Sequence, residues 1–191
     1  NFIAYENCVV NITGLTFAED VVVSFSGVRG SLNSTKLYGT TDIKDGSNLT
    51  LNSTAGMYFG DLNVTNSSVF NGTFSNSIRI AQLTLKGNSN FSMDGIDTSV
   101  IVGLDSDGAG ANPTAIFEIL DNSYLSTGYV DIKNNTTATI VADNSKIYLK
   151  GDSDCWPSSE EIELKNNAEL FVETGTVGIA STSDDYLARI S

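Results

Sequence analysis

Histidine is absent from this 191-residue chain, and lysine and arginine together number only 10. Without histidine there is no Ser-His-Asp triad, no Cys-His pair and none of the usual zinc sites. Lysine-based and carboxylate-only chemistry stay open. Against 23 acidic residues and a net charge of −13, so few cations argue against nucleic acid as a partner, because phosphate binding needs clustered Lys and Arg. The same balance disfavours anionic membrane surfaces. Phosphate-binding loops are absent, and no run approaches the ~20 apolar residues that a membrane-spanning helix requires. Proline and cysteine occur twice each, and tryptophan once. No long segment carries a 3.6-residue apolar period, which excludes a helix-rich fold. Residues 182–190 are the one stretch that would form either a short terminal helix or a last strand. No leader segment is visible and the first residue is Asn1, which reads as a processed mature form, although a trimmed chain would look the same.

What the chain has in abundance is Asn, Ser and Thr, 61 residues in all, together with 40% apolar residues, enough for one domain with a core. Ten Asn-x-Ser/Thr sequons occur, at Asn11, Asn33, Asn48, Asn52, Asn63, Asn66, Asn71, Asn90, Asn134 and Asn135. Chance pairing of these residue types would give about four, so the excess marks all ten as candidate N-glycosylation acceptors on an exported surface.

A short phrase recurs: Asn or Gly, then Ser or Ala, any residue, then an apolar anchor. It appears as Gly46-Ser47-Asn48-Leu49, Asn66-Ser67-Ser68-Val69, Asn88-Ser89-Asn90-Phe91, Asn122-Ser123-Tyr124-Leu125, Asn144-Ser145-Lys146-Ile147 and Asn167-Ala168-Glu169-Leu170. The anchors are 20, 22, 34, 22 and 23 residues apart, so one interval carries about a dozen extra residues. Alternating apolar pairs precede the phrases, among them Leu83 and Leu85, Phe117 and Ile119, and Ile162 and Leu164. At Val69 the pair slips by one, to Leu62 and Val64. Period two is the mark of a strand with one buried face, so each unit reads strand, corner, strand. A sharp bend needs φ > 0, which Gly adopts freely and Asn tolerates best among the rest. Gly46, Asn66, Asn88, Asn122, Asn144 and Asn167 are therefore expected to form a ladder of structural corners, bonded from layer to layer, with each neighbouring Ser bonded to nearby backbone.

Corner phrases at about 22 residues per turn resemble the right-handed parallel β-helix of pectate-lyase-like enzymes, phage tailspikes and microbial adhesins and surface proteins. The resemblance covers roughly residues 42–175. It implies an all-β solenoid of ~20–23-residue turns, with Asn stacked at one corner. A β-sandwich or jelly roll is the alternative. The chain reads as a single domain: 1–40 an irregular cap or first turns, 41–175 the repeat body, 176–191 a C-terminal segment. Glycosidases of the resembled fold use clustered Asp, and its lyases use Ca²⁺ with a basic residue. Here Asp184-Asp185 is the only adjacent Asp pair, in a Ser/Thr-rich stretch that reads as a solvated turn, and no basic cluster exists.

The long interval holds a Gly-rich acidic segment, Asp105-Ser106-Asp107-Gly108-Ala109-Gly110. Asp105 and Asp107 open it like a calcium loop, which makes them candidate Ca²⁺ ligands, but Ala109 and Ile116 stand where oxygen ligands belong. Asp152, Asp154 and Glu160 form a second acidic stretch around Cys155-Trp156-Pro157. Cys8 and Cys155 would lie ~30 Å apart in a stack with ~4.8 Å layers, beyond the ~7 Å reach of a disulfide, so they are either free or bonded between subunits. No catalytic residues are identified and no resident cofactor is expected apart from candidate Ca²⁺. The expected function is an extracellular, self-assembling structural subunit of a surface layer, sheath or filament, whose partners are copies of itself and glycans. An adhesin or carbohydrate-binding module is the alternative, and a polysaccharide-degrading enzyme or tailspike fragment the third reading.

Overall fold

The computed structural model describes residues 1–53, 57–74, 78–94, 99–102, 114–127, 129–132, 137–149, 153–155, 159–172, 177–179 and 189–190. Among these no helix occurs, and all strand pairings are parallel. Parallel pairing between strands one coil apart defines a β-solenoid. A sandwich or jelly roll, built from antiparallel neighbours, is excluded.

Each coil contributes up to three strand segments, which stack into three faces. Face I collects Phe2–Ala4, Val23–Ser26, Thr41–Lys44, the later halves of Met57–Thr65 and Ile78–Lys86, then Thr114–Leu120, Thr137–Asp143, Ser159–Lys165 and Arg189–Ile190. Face II is the eight-stranded sheet of Val9–Thr13, Arg29–Asn33, Asn48–Ser53, Val69–Phe74, Asn90–Asp94, Tyr124–Thr127, Lys146–Leu149 and Glu169–Val172. Face III holds Thr16–Phe17, Lys36–Leu37, the earlier halves of Met57–Thr65 and Ile78–Lys86, then Ser99–Val102, Tyr129–Ile132, Ser153–Cys155 and Val177–Ile179. The eight strands of face II number the coils from 1 to 8.

The apolar alternation builds the interior directly. On face I one inward column runs Phe2, Val23, Thr41, Leu62, Leu83, Phe117, Ile140 and Ile162 by register. On face II the register is Leu49, Phe70, Phe91, Leu125, Ile147, Leu170. The anchor of the fourth coil is thus Phe70, and Val69 pairs with Asn48 and Asn90. With that shift the intervals become 21, 21, 34, 22 and 23, and the slip of Leu62 and Val64 disappears. Val69 and Phe70 are both large and apolar, so spacing alone did not separate them. Burial does: Phe70 is fully buried and Val69 only partly. Through the middle coils Phe59 meets Phe70 edge-on at a centroid distance of 5.7 Å, and Phe70 stacks on Phe91 at 5.5 Å. Full burial of each ring stabilises the fold by roughly 1.5–3 kcal/mol.

Residues 1–40 lack the phrase and yet form coils 1 and 2 in regular register. The corner is there with altered chemistry. Asn7-Cys8 and Gly27-Val28 stand where later coils have Gly46-Ser47 and Asn88-Ser89, and Asn7 and Gly27 have φ of 65° and 64°.

Candidate functional site

The corner between faces I and II carries a regular polar ladder among the described residues. It uses two left-handed residues in succession in coils 3 to 6: Asp45-Gly46, Asn66-Ser67, Gly87-Asn88 and Asp121-Asn122. Asn144 alone serves in the next coil and Asn166 in the one after. Asn66 therefore occupies the first corner column, whereas Gly46, Asn88, Asn122 and Asn144 occupy the second. Asn167 shares the second column without positive φ. Two columns, rather than one, carry the layer-to-layer bonds. Asn66 Nδ2 donates to Asp45 Oδ1 at 3.0 Å, and Asn144 Nδ2 to Asn122 Oδ1 at 3.1 Å. Asn166 Nδ2 donates likewise to Asp143 Oδ1.

Behind these corners runs a buried column of Ser47, Ser68, Ser89, Ser123 and Ser145. A chain that turns inside a corner leaves amides with no strand partner. The serine of the following coil supplies one: Val28 N donates to Ser47 Oγ at 3.1 Å, Ser68 N to Ser89 Oγ at 3.3 Å and Ser89 N to Ser123 Oγ at 3.2 Å. Ser89 in turn donates to Lys86 O at 2.8 Å. Cys8 heads this column in coil 1, where it is exposed and its thiol is free.

A groove of about 480 Å³ opens at the same corner over coils 1 to 3, lined by Glu6, Asn7, Cys8, Val9, Gly27, Arg29, Asp45 and Gly46. Asp45 accepts from Ser26 Oγ at 2.7 Å and from Asn66, and these two bonds hold its carboxyl below the usual carboxylate range, helped by Lys44. Among the described residues no three His, Cys, Asp or Glu side chains gather as a metal site, and no helix is long and apolar enough to cross a membrane.

Coil 1 forms one open end of the described stack. Its three strands each pair on one side only, with Val23–Ser26, Arg29–Asn33 and Lys36–Leu37. Ile3, Tyr5, Val9 and Leu15 are exposed, Val9 to 73%. Its inward residues Phe2, Val10 and Phe17 are only partly covered, whereas Phe25, Leu32 and Leu37 one coil later are buried to 1% exposure or less.

Protein-family models, curated proteins and solved structures were compared, and none matches the chain. The site is therefore argued from its own geometry. Asp105, Asp107, Asp152, Trp156, Pro157, Asp184, Asp185, Asn134 and Asn135 lie outside the described residues, the first two between strands Ser99–Val102 and Thr114–Leu120. Asp154 and Glu160 fall in face III and face I strands. Cys155 pairs with Ile132 and Ile179, in a register column whose members Leu37, Phe59 and Ile80 are buried. Cys8 and Cys155 lie six coils apart, ~29 Å at ~4.8 Å per layer, which rules out a bond within one chain. The I/II corner also lies across the coil from face III. An end-to-end stack with all faces aligned would keep the two cysteines on opposite sides, so an interchain Cys8–Cys155 bond requires rotation between subunits.

Sequence reasoning missed a cluster near the far end of face II. Tyr124, Lys146, Tyr148, Glu169 and Phe171 sit on its outer surface in coils 6 to 8. Tyr148 and Phe171 have ring centroids 6.2 Å apart, Lys146 lies 5.9 Å over the Phe171 ring, and Lys146 pairs with Glu169 at 2.9 Å. The signal was present in the phrase itself, at the position before each anchor and the position after it.

Proposed function

We propose that this chain is a non-catalytic, extracellular structural subunit that assembles with copies of itself, in the manner of a surface layer, sheath or filament. The observation that supports this most directly is coil 1. A strand edge with unmade hydrogen bonds pairs with another strand unless it is blocked. Here three such edges surround a partly covered Phe2–Phe17 pair, with rings 5.7 Å apart. A further coil in the same register satisfies the edges and buries the rings together. The acidic surface and the sequon excess favour an exposed setting. Kinship with microbial adhesins and other surface β-helices is part of the same reading.

Sedimentation of the purified chain over a wide concentration range, with negative-stain imaging, tests it. Growth of end-to-end oligomers is expected, weakened by Ile3→Lys and Val9→Lys, which place charge on exposed edge positions. A monomer at every concentration, in oxidising and reducing buffer and with or without Ca²⁺, overturns it. Assembly that appears only when Ca²⁺ is added would support Asp105 and Asp107 as ligands.

The aromatic surface of face II favours a second reading as a carbohydrate-binding module. Phe171 is 44% exposed beside Tyr148 and a Lys-Glu pair, the mix of flat apolar and polar groups on which a sugar ring stacks. Glycan-array binding lost in Phe171→Ala supports it, and an array with no binding retires it.

A further inference from the structure

The described sequons are unevenly placed. Asn11, Asn33, Asn48, Asn52, Asn71 and Asn90 all fall on face II. Asn63 lies on face I and Asn66 at the corner. In a strand, residues i and i+2 point to the same side, so an Asn-x-Thr within face II presents the asparagine and its hydroxyl partner together.

Hydrogen bonding separates these asparagines into two groups. Asn33 Nδ2 lies 3.3 Å from both Thr13 Oγ1 and Ser31 Oγ, and its sequon partner Thr35 is fully buried, donating to the Asn33 carbonyl at 3.1 Å. Asn63 Nδ2 donates to Asp42 at 2.9 Å. Asn66 Nδ2 is held by Asp45, and its partner Ser68 is fully buried. Asn90 is half-buried, with Oδ1 enclosed. In contrast, Asn11, Asn48, Asn52 and Asn71 are exposed. Asn11 accepts from Ser31 through Oδ1 at 2.9 Å, which leaves its Nδ2 free. Asn48 and its partner Thr50 are both exposed.

We propose that face II is the glycan-bearing face of coils 1 to 4 and that Asn11, Asn48, Asn52 and Asn71 are its acceptors. The inference rests on the extracellular reading above. The chemistry requires a lipid-linked oligosaccharide pyrophosphate as donor. The Asn amide nitrogen forms a bond to the sugar C1, the C1–oxygen bond to pyrophosphate breaks, and one amide proton is released. A sugar on Asn33 would disturb its Nδ2 contacts to Thr13 in coil 1 and to Ser31 in its own strand, whereas a sugar on Asn48 disturbs no side-chain bond. Glycans on face II leave the open strand edges of coil 1 uncovered.

The experiment directs the chain into the lumen of a secreting eukaryotic cell and measures occupancy at each asparagine by site-resolved fragmentation mass spectrometry. High occupancy at Asn11, Asn48, Asn52 and Asn71, and little at Asn33, Asn63 and Asn66, is the expected result. Asn48→Gln should remove one glycan from the gel mobility ladder, and Asn33→Gln none. Equal occupancy across both groups overturns the proposal. So does an unmodified chain, which would make face II a polar ladder only. Assembly is scored separately, by sedimentation of the same product after enzymatic deglycosylation, so loss of one reading leaves the other standing or falling on its own result.

Discussion

Ser89 and Ser68 stand one coil apart in the same buried column, yet they do different work. Ser89 accepts from the Ser68 amide and donates to Lys86 O, whereas the Ser68 hydroxyl is buried with no partner. A buried donor left unpaired costs about 1–3 kcal/mol, and a hydroxyl that is already unpaired costs nothing further to remove. Ser89→Ala should therefore lower unfolding free energy by about 1–3 kcal/mol in a urea titration, while Ser68→Ala leaves it unchanged or raises it. Thr41, whose Oγ1 is also enclosed and unpartnered in the face I core, predicts the same gain for Thr41→Val. Equal losses from all three substitutions would remove the hydrogen-bond account of the column. Asp45 is tested by pH. Its carboxyl is held below the usual range by Ser26 and Asn66, so the stabilisation it supplies is present above the ordinary carboxylate pKa. That contribution is lost as pH falls through the lower folded value. The gap in Tm between the parent chain and Asp45→Asn should hold from neutral pH to about pH 4 and close below it. A gap that stays constant into strong acid would show that Asp45 acts without its charge.

At the scale of the element, the corners between faces III and I depend on close backbone approach. Gly60 sits at the bend of the long strand Met57–Thr65, and a Cβ there would lie 2.2 Å from Tyr38 O and 2.8 Å from Gly39 O. Both are backbone atoms, so one coil would have to move away from the next. Gly46, by contrast, has open space but a φ of 74°, so alanine there meets only the left-handed penalty of about 1–2 kcal/mol. Gly60→Ala should cost more than Gly46→Ala, by the few kcal/mol typical of overpacking, as read from paired thermal melts. The opposite ranking would mean that the coils slide apart cheaply. These two glycines also show what was legible in the sequence. Gly46 stood in a recurring phrase, because every corner between faces I and II meets the same steric demand. Gly60 has one counterpart, Gly39 at the same corner one coil earlier, but Ala81 takes that place one coil later, so no recurring phrase marks it, and its constraint comes from a carbonyl 22 residues earlier. The same reasoning explains coils 1 and 2. Their corners were hidden because Cys8 and Val28 replace the serine, although Asn7 and Gly27 keep the turn. Face II's aromatic cluster was hidden for a different reason: an outer column is free in sequence, so only register assembles it.

For the whole molecule, a stack in which each coil touches only its neighbours has stability close to a sum of local terms. Such an array opens from its ends inward, and the free energy of opening rises toward the best-packed coils. The packing is graded accordingly. Phe59, Phe70 and Phe91 in coils 3 to 5 are fully buried, whereas in coil 1 Ala4 and Ile12 retain 8% and 6% exposure and Phe2, Val10 and Phe17 more. Native-state hydrogen exchange of the dilute chain should therefore protect the amides of coils 3 to 5 most and those of coil 1 much less. Raising the protein concentration should raise protection selectively in coil 1, because an incoming coil satisfies its free edges and covers its rings. Protection that is uniform along the chain would point to one cooperative unit with closed ends. Protection that is graded but indifferent to concentration would keep the solenoid energetics and remove coil 1 as the assembling edge.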